Sequence, residues 1–382
     1  MPGQNLTRLE AADRSATVHT QSYDVTLDLT RGETVFGSST TVRFTSTPGS
    51  STFIDLIAPV VHSISLNGRA LDPAEVYADS RITLTGLAAD NELVVIADCA
   101  YMHTGEGLHR FTDPADGETY LYSQFEVPDS RRVFAVFEQP DLKASFTFTV
   151  TTPSSWTVLS NSPTPEPTPT ENSDGSGDAH TFAFAPTEPM SSYVTAIVAG
   201  PYMGATDEYV ASDGHTVPLG VYCRKSLVEH MDSAEILDLT KRGFAYYEDL
   251  FATPYAFTKY DQIFVPEFNA GAMENAGCVT HRDDYIFRSL KDATQPITLT
   301  AVTHAFADLK KRLNLPQDLR FHSFRHTHAT LLAEQEISAK KIQVRLGHAS
   351  AAFTMDRYIH NTAQMQDGIT DKIIKCEETY SD

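Results

Sequence analysis

Between residues 18 and 150 apolar and polar side chains alternate in short runs, and that alternation limits this stretch to sheet. Tyr23-Asp24-Val25-Thr26-Leu27-Asp28-Leu29 is the clearest run, and Thr41-Val42-Arg43-Phe44 repeats the pattern. Ile64-Ser65-Leu66, Ile82-Thr83-Leu84 and Leu93-Val94-Val95-Ile96 follow, separated by turn pairs such as Arg31-Gly32 and Asn67-Gly68. A period of two puts every second residue on one face, so each run can bury one side against a core. Several such strands in succession predict an antiparallel all-β domain, a large sandwich or saddle, over residues 1–200. Within it, residues 161–178 are rich in Pro, Thr and Ser and then Gly, which predicts a long loop with no core of its own.

From 201 the texture changes. Val217-Pro218-Leu219-Gly220-Val221-Tyr222 reads as a strand, 234–250 has helical spacing, and Asp261-Gln262-Ile263-Phe264-Val265-Pro266 reads as another strand. This predicts the start of an α/β domain over 201–289. After 290 helices are expected: in 301–313 the apolar residues Val302, Phe306, Leu309 and Leu313 share one face. Short helices are also expected at 322–333, 338–346 and 353–360.

Charge divides the 382 residues at the same place. Residues 290–382 hold 12 Lys and Arg against 11 Asp and Glu, net +1; the first 289 hold 17 against 39, net −22. An acidic body discourages nucleic-acid binding and the last quarter does not. The four Cys are scattered with no CxxC pair, which points to reduced thiols. No apolar run approaches a membrane span, and Met1-Pro2-Gly3-Gln4-Asn5 has neither the basic region nor the apolar core of a signal peptide. The expectation is a cytoplasmic protein without membrane partners.

Two blocks of residues carry chemistry in the acidic part. Gly271-Ala272-Met273-Glu274-Asn275 combines small residues, which let backbone approach a ligand, with one carboxylate that can hold an ammonium. Ser123-Gln124-Phe125-Glu126 precedes Asp129-Ser130-Arg131-Arg132 and Phe137-Glu138-Gln139-Pro140-Asp141-Leu142-Lys143-Ala144. Together they resemble zinc aminopeptidases of the aminopeptidase N type: the GAMEN exopeptidase signature after the QFE and FDEPxxKA stretches of the N-terminal β-domain. The resemblance covers about 15–289. It implies the start of a thermolysin-like catalytic domain at 201–289, and Glu126 and Glu274 gripping the free amino group of a peptide. It also implies Gly271 and Ala272 offering main-chain hydrogen bonds, with Met273 and Asn275 as the remaining substrate-binding residues of the motif.

The same family uses zinc held by an HExxH helix. None of the 14 His in this chain is followed directly by Glu, so that helix is absent and no cofactor is expected to be retained. His322-Ser323-Phe324-Arg325-His326 has ligand spacing, but Arg325 would repel a cation.

The last quarter has its own pattern. His322-Ser323-Phe324-Arg325, Leu346-Gly347-His348 and Tyr358, ten residues beyond His348, resemble the end of a tyrosine recombinase or phage integrase catalytic domain, over about 290–370. The resemblance implies DNA as partner, Tyr358 as nucleophile, Arg325 on a non-bridging phosphate oxygen, and His322 and His348 bonding the phosphate. That family also needs an upstream Arg and a Lys on a β-hairpin, and that territory is aminopeptidase-like here. The expectation is a chimera joined near Ser289 and Leu290. Three activities stay open: a peptidase by resemblance that lacks its zinc site, DNA recombination with an incomplete set, or a non-catalytic protein that binds peptide N-termini.

Overall fold

A computed structural model describes residues 5–172, 175 and 177–286, all of them within one compact unit, Met1–Phe287. The helices expected after 290 lie outside the described residues. The described part is mostly β-sheet, as the alternation predicts.

The largest sheet has eight strands in the order Thr168–Glu171, Asp178–Ala183, Ser145–Pro153, Val18–Asp28, Val35–Ser46, Asp90–Ala100, Val60–Leu66, Arg69–Leu71. Its core face shows the expected period: Tyr23, Val25 and Leu27 are buried, and so are Val42, Phe44, Leu93 and Val95. The Asn67-Gly68 turn closes the hairpin of Val60–Leu66 and Arg69–Leu71, with both residues at positive φ. The sheet is not purely antiparallel. Val18–Asp28 and Ser145–Pro153 run parallel, in register from Ser22 and Ser145 to Asp28 and Thr151. More than a hundred residues separate the pair, so no tight turn dictates opposite directions.

Two smaller sheets complete the β region: Ser51–Asp55, Arg81–Thr85 and Tyr77–Ala78; and Thr157–Ser160, Ile197–Gly200, Thr119–Gln124 and Gly107–Thr112. All three sheets feed one apolar core in which Tyr23 stacks on Phe146 and Phe134 packs edge-on to Phe125. The expected loop at 161–178 contains an exposed edge strand, Thr168–Glu171, paired with Asp178–Ala183. Its Thr residues favour extended backbone, and Pro169 is tolerated because an edge strand needs hydrogen bonds on one side only.

No helix is expected before residue 18, yet Arg8–Thr17 is helical. A capping box starts it: Glu10 N donates to Thr7 Oγ1 at 3.2 Å, and Thr7 N to the Glu10 carboxylate at 2.8 Å.

The expected boundary at 200 lies inside the compact unit. Beyond it stands a five-stranded mixed sheet: Met203–Val210, Thr216–Cys223, Tyr260–Val265, Cys278–Arg282 and Ala272–Met273. Thr216–Cys223, Tyr260–Val265 and Cys278–Arg282 are parallel. Helix Ser233–Phe251 links the first two of these, which makes a βαβ unit and fits the α/β expectation. The helix buries Leu237 and Glu248 and leaves Leu239, Tyr246, Tyr247, Leu250 and Phe251 more than half exposed. Among the described residues no helix is long and apolar enough to cross a membrane.

Candidate functional site

The motif at 271–275 occupies the edge of the five-stranded sheet. Ala272 and Met273 pair with His281 and Thr280 on one side, and Gly271 O accepts from Arg282 N at 3.2 Å. The sheet ends at Ala272–Met273, so its other side has no strand neighbour among the described residues. Gly271, Ala272 and Glu274 are exposed, whereas Met273 and Asn275 are buried. The edge thus presents backbone and one carboxylate outward while Met273 anchors it from within.

Met273 belongs to an apolar cluster that crosses residue 200. Tyr120, Tyr122 and Val198 join it from the four-stranded sheet, Ile263, Val265 and Cys278 from the five-stranded one, and Phe268 from the loop after strand Tyr260–Val265. Tyr122 meets Phe268 edge-on at 5.5 Å. Strand Thr119–Gln124, which contains Tyr122, delivers Glu126 just past its end. Glu126 lies exposed in the turn 126–129, its N–H on Gln124 Oε1 at 2.6 Å. The two candidate carboxylates therefore stand on segments packed into a common cluster.

Asn161 fixes the base of the motif. Its Nδ2 donates to Ala276 O at 2.8 Å and Val194 O at 2.9 Å, and its Oδ1 accepts from Ala196 N at 2.8 Å. The turn it holds runs from Asn275 O to Cys278 N, with Gly277 at φ +70°. A Cβ at Gly277 would sit 2.8 Å from Asn161 O, so Gly is required on both counts. Among the described residues the Asn275 side chain, 1% exposed, has no partner for either amide atom. Sequence reasoning missed Asn161, which heads a low-complexity stretch and has no local signal.

A second interaction ties the same two regions. The Arg224 guanidinium forks onto Asp283 at 2.7 and 3.0 Å and reaches Asp113 at 2.6 Å. Nearby, His109 is buried; its Nδ1 accepts from Gly105 N at 3.0 Å and its Nε2 lies 3.2 Å from Glu267. Burial pushes the imidazole down to about 4, with His103 adding to the effect. The Glu267 contact does not reverse this, because that carboxylate is more than half exposed and screened.

Behind the Glu126 turn lies a buried knot of charge. Arg14, from the first helix, pairs with Asp55 at 2.8 Å and with Gln139 Oε1 at 3.0 Å, its guanidinium over Phe53. Glu138, 4% exposed, accepts from Ser130 Oγ at 2.5 Å, Arg131 N at 2.7 Å and Ser192 Oγ at 3.3 Å. Burial pushes its carboxyl up to about 7, against the pull of those hydrogen bonds. Of the two glutamates in the 123–144 block, Glu126 is exposed and Glu138 is built into the fold.

His322, Arg325, His348 and Tyr358 lie outside the described residues, so the structure places none of them.

The comparisons agree with both halves of this picture. Residues 19–194 match the Peptidase M1 N-terminal domain, and residues 270–365 match the phage integrase family. Aminopeptidase N of Streptomyces lividans is 54% identical over 81% of this chain and 35% of its own length. Aminopeptidase N of Acetobacter pasteurianus is 33% identical over 51% of this chain and 52% of its own length. Aminopeptidase Ey of Gallus gallus is 32% identical over 47% of this chain and 18% of its own. The chain thus spans from under a fifth to about half of the length of these relatives. The first alignment covers more of the chain than residues 15–289 supply, and the integrase match begins at 270. The two resemblances therefore overlap around the expected join. Residues 19–194 are thus similar to the Peptidase M1 N-terminal domain, the N-terminal part of the chain is homologous to aminopeptidase N, and residues 270–365 match the phage integrase family.

Proposed function

We propose that the N-terminal part of this chain is an aminopeptidase N-like module that binds the free amino end of a peptide without hydrolysing it. Glu126 and Glu274 hold the ammonium, and the backbone of Gly271 and Ala272 receives the peptide main chain. The observation that carries this reading is the sheet edge at Ala272–Met273, from which Glu274 emerges exposed while Met273 is anchored below. An open edge offers main-chain hydrogen bonds to an extended peptide, and a carboxylate at its end selects the charged terminus. The residues present do not fit the zinc that the family's reaction requires: no His in the sequence is followed directly by Glu, as an HExxH helix needs.

Calorimetry on the full chain tests this with one peptide in free-amine and N-acetylated forms. The free amine should bind about tenfold tighter, since losing one charged hydrogen-bond partner costs about 1.5–3 kcal/mol. Glu274→Ala and Glu126→Ala should each erase most of the difference. Equal binding of both peptides by the parent chain would sink the proposal. Turnover of an aminoacyl chromogenic substrate with stoichiometric zinc would overturn its non-hydrolytic half.

The integrase match favours a second reading, DNA strand transfer with Tyr358 attacking a phosphodiester, Arg325 on a non-bridging oxygen, and His322 and His348 bonding the phosphate. A suicide DNA substrate should then trap a covalent adduct that Tyr358→Phe abolishes. No adduct with the parent chain removes this reading.

A further inference from the structure

Glu126 stands exposed on its turn, and among the described residues its carboxylate makes no hydrogen bond or ion pair that would hold the turn. Residues 126–129 run into the 3₁₀ turn Ser130–Arg132; Gln124 Oε1 accepts from Glu126 N at 2.6 Å, Arg132 Nε donates to Asp129 Oδ1 at 2.5 Å within the segment, and further hydrogen bonds reach it from beneath. Glu138 supplies two of them, to Ser130 Oγ and Arg131 N, and its contact with Ser192 Oγ ties the same carboxylate to a different part of the chain. Arg131 extends the connection forward: its Nε donates to Pro128 O at 2.9 Å, two residues from Glu126. Beside the turn opens a pocket of about 370 Å³ lined in part by Val127, Pro128, Arg131 and Glu138, together with Asp55 and Gln139 of the charged knot. With that open space on one side, the turn leans on its hydrogen bonds for its position.

We propose that Glu138 is a positioning residue for Glu126: its buried carboxylate, through Ser130 and Arg131, sets where the 126–129 turn places the exposed carboxylate. This rests on the reading of Glu126 as a holder of the peptide ammonium. Glu138 touches no ligand itself.

The charge on Glu138 makes the device responsive to pH. Ionised, the carboxylate accepts charge-assisted bonds from Ser130, Ser192 and the Arg131 amide; protonated, it accepts weaker ones and must donate its own proton. The charged and titratable groups around it are Asp55 on strand Ser51–Asp55, Arg131 on the 3₁₀ turn, Tyr23 on strand Val18–Asp28, and Arg14 and Arg81 paired to Asp55 from behind. Asp55 disfavours ionisation and Arg131 favours it, while burial pushes the carboxyl up to about 7. The switch between the two bonding patterns therefore falls near neutrality.

Two measurements on the full chain test this. The first is the affinity for a free-amine peptide from pH 6 to 8, for the parent chain and for Glu138→Gln. The Gln variant mimics the protonated acid at every pH. The ratio of parent to variant affinity cancels titration of the peptide's own amine, and it should rise about threefold from pH 6 to 8 as the charge-assisted bonds form. A purely structural glutamate would give a constant ratio. The second is amide exchange across 126–133: protection should be lower in Glu138→Gln than in the parent at pH 8 and equal at pH 6, with strand Ser145–Pro153 unchanged. Ser130→Ala should lower protection of the same segment without disturbing the fold. If the Gln variant fails to fold, the pH dependence of protection in the parent chain and in Ser130→Ala decides the matter.

If protection responds as stated but free and acetylated peptides bind alike, the positioning role stands and the reading of Glu126 falls. If peptide discrimination holds while neither ratio nor protection depends on Glu138, the positioning proposal is overturned.

Discussion

Asn161 shows how much one amide can hold. It donates to carbonyls in two different segments and accepts from a third amide, and all three partners lie where the motif meets the β region. Removing it leaves Val194 O, Ala276 O and Ala196 N without that partner in a site where Asn161 is 5% exposed. Asn161→Ala should therefore cost about 3 kcal/mol, as several buried polar groups lose their bonds at once. Asn161→Asp should cost more than Ala despite its closer shape. It keeps the acceptor for Ala196 N but turns an oxygen toward two carbonyls and buries a charge. Urea unfolding of the three proteins checks the order, and an Asp variant as stable as Ala would contradict this account of the clamp. Glu274 differs in kind: it is exposed and carries no structural duty of this sort, so Glu274→Ala should alter binding while sparing the fold.

Elements legible in the sequence were those whose logic is local. Strands at 23–29, 41–44 and 93–96 follow from alternation, the Asn67-Gly68 hairpin from turn chemistry, and helix Ser233–Phe251 from its spacing. The helix Arg8–Thr17 was also locally encoded, by Thr7 and Glu10 three residues apart, but its polar face of Arg and Asp hides the period. What no local pattern carries is partnership. The parallel pairing of Val18–Asp28 with Ser145–Pro153 depends on contacts far apart in sequence. So does the Arg224 fork, which ties Asp113 to Asp283 across the boundary expected at 200. The motif at 271–275 was identifiable as a string, and its edge position follows from the strand order, which the string does not contain. Burial separates Glu126 from Glu138 in the same way: both are Glu in one block, and only the packed core shows which of them faces solvent.

At the scale of the whole molecule, two buried groups pull the pH dependence of stability in opposite directions. Glu138 is raised in the folded state from 4.5 to about 7, so its contribution is fully present below about 4.5 and is lost as pH rises through about 7. His109 is lowered from 6.5 to about 4, so its contribution is present above about 6.5 and is lost as pH falls through about 4. Between those limits the two slopes oppose each other, and the parent chain should show a flatter profile than either group alone would produce. The carboxylates of the acidic body add to the loss at low pH: Glu10, held down to about 2 chiefly by its hydrogen bond with Arg81, surrenders its share between about 4.5 and 2. His109→Phe isolates the imidazole. Phe keeps the packing against Tyr122, whose ring centroid lies 4.8 Å from that of His109, and removes the group that must charge on unfolding. The variant should be less stable than the parent at pH 7, where Gly105 N loses its acceptor. It should lose less stability than the parent between pH 6.5 and 4, so the two curves approach each other on the acid side. Urea midpoints across that range, with unchanged slope against denaturant, read this directly. Parallel curves from pH 7 to 4 would mean that His109 is not the neutral buried group its surroundings make it.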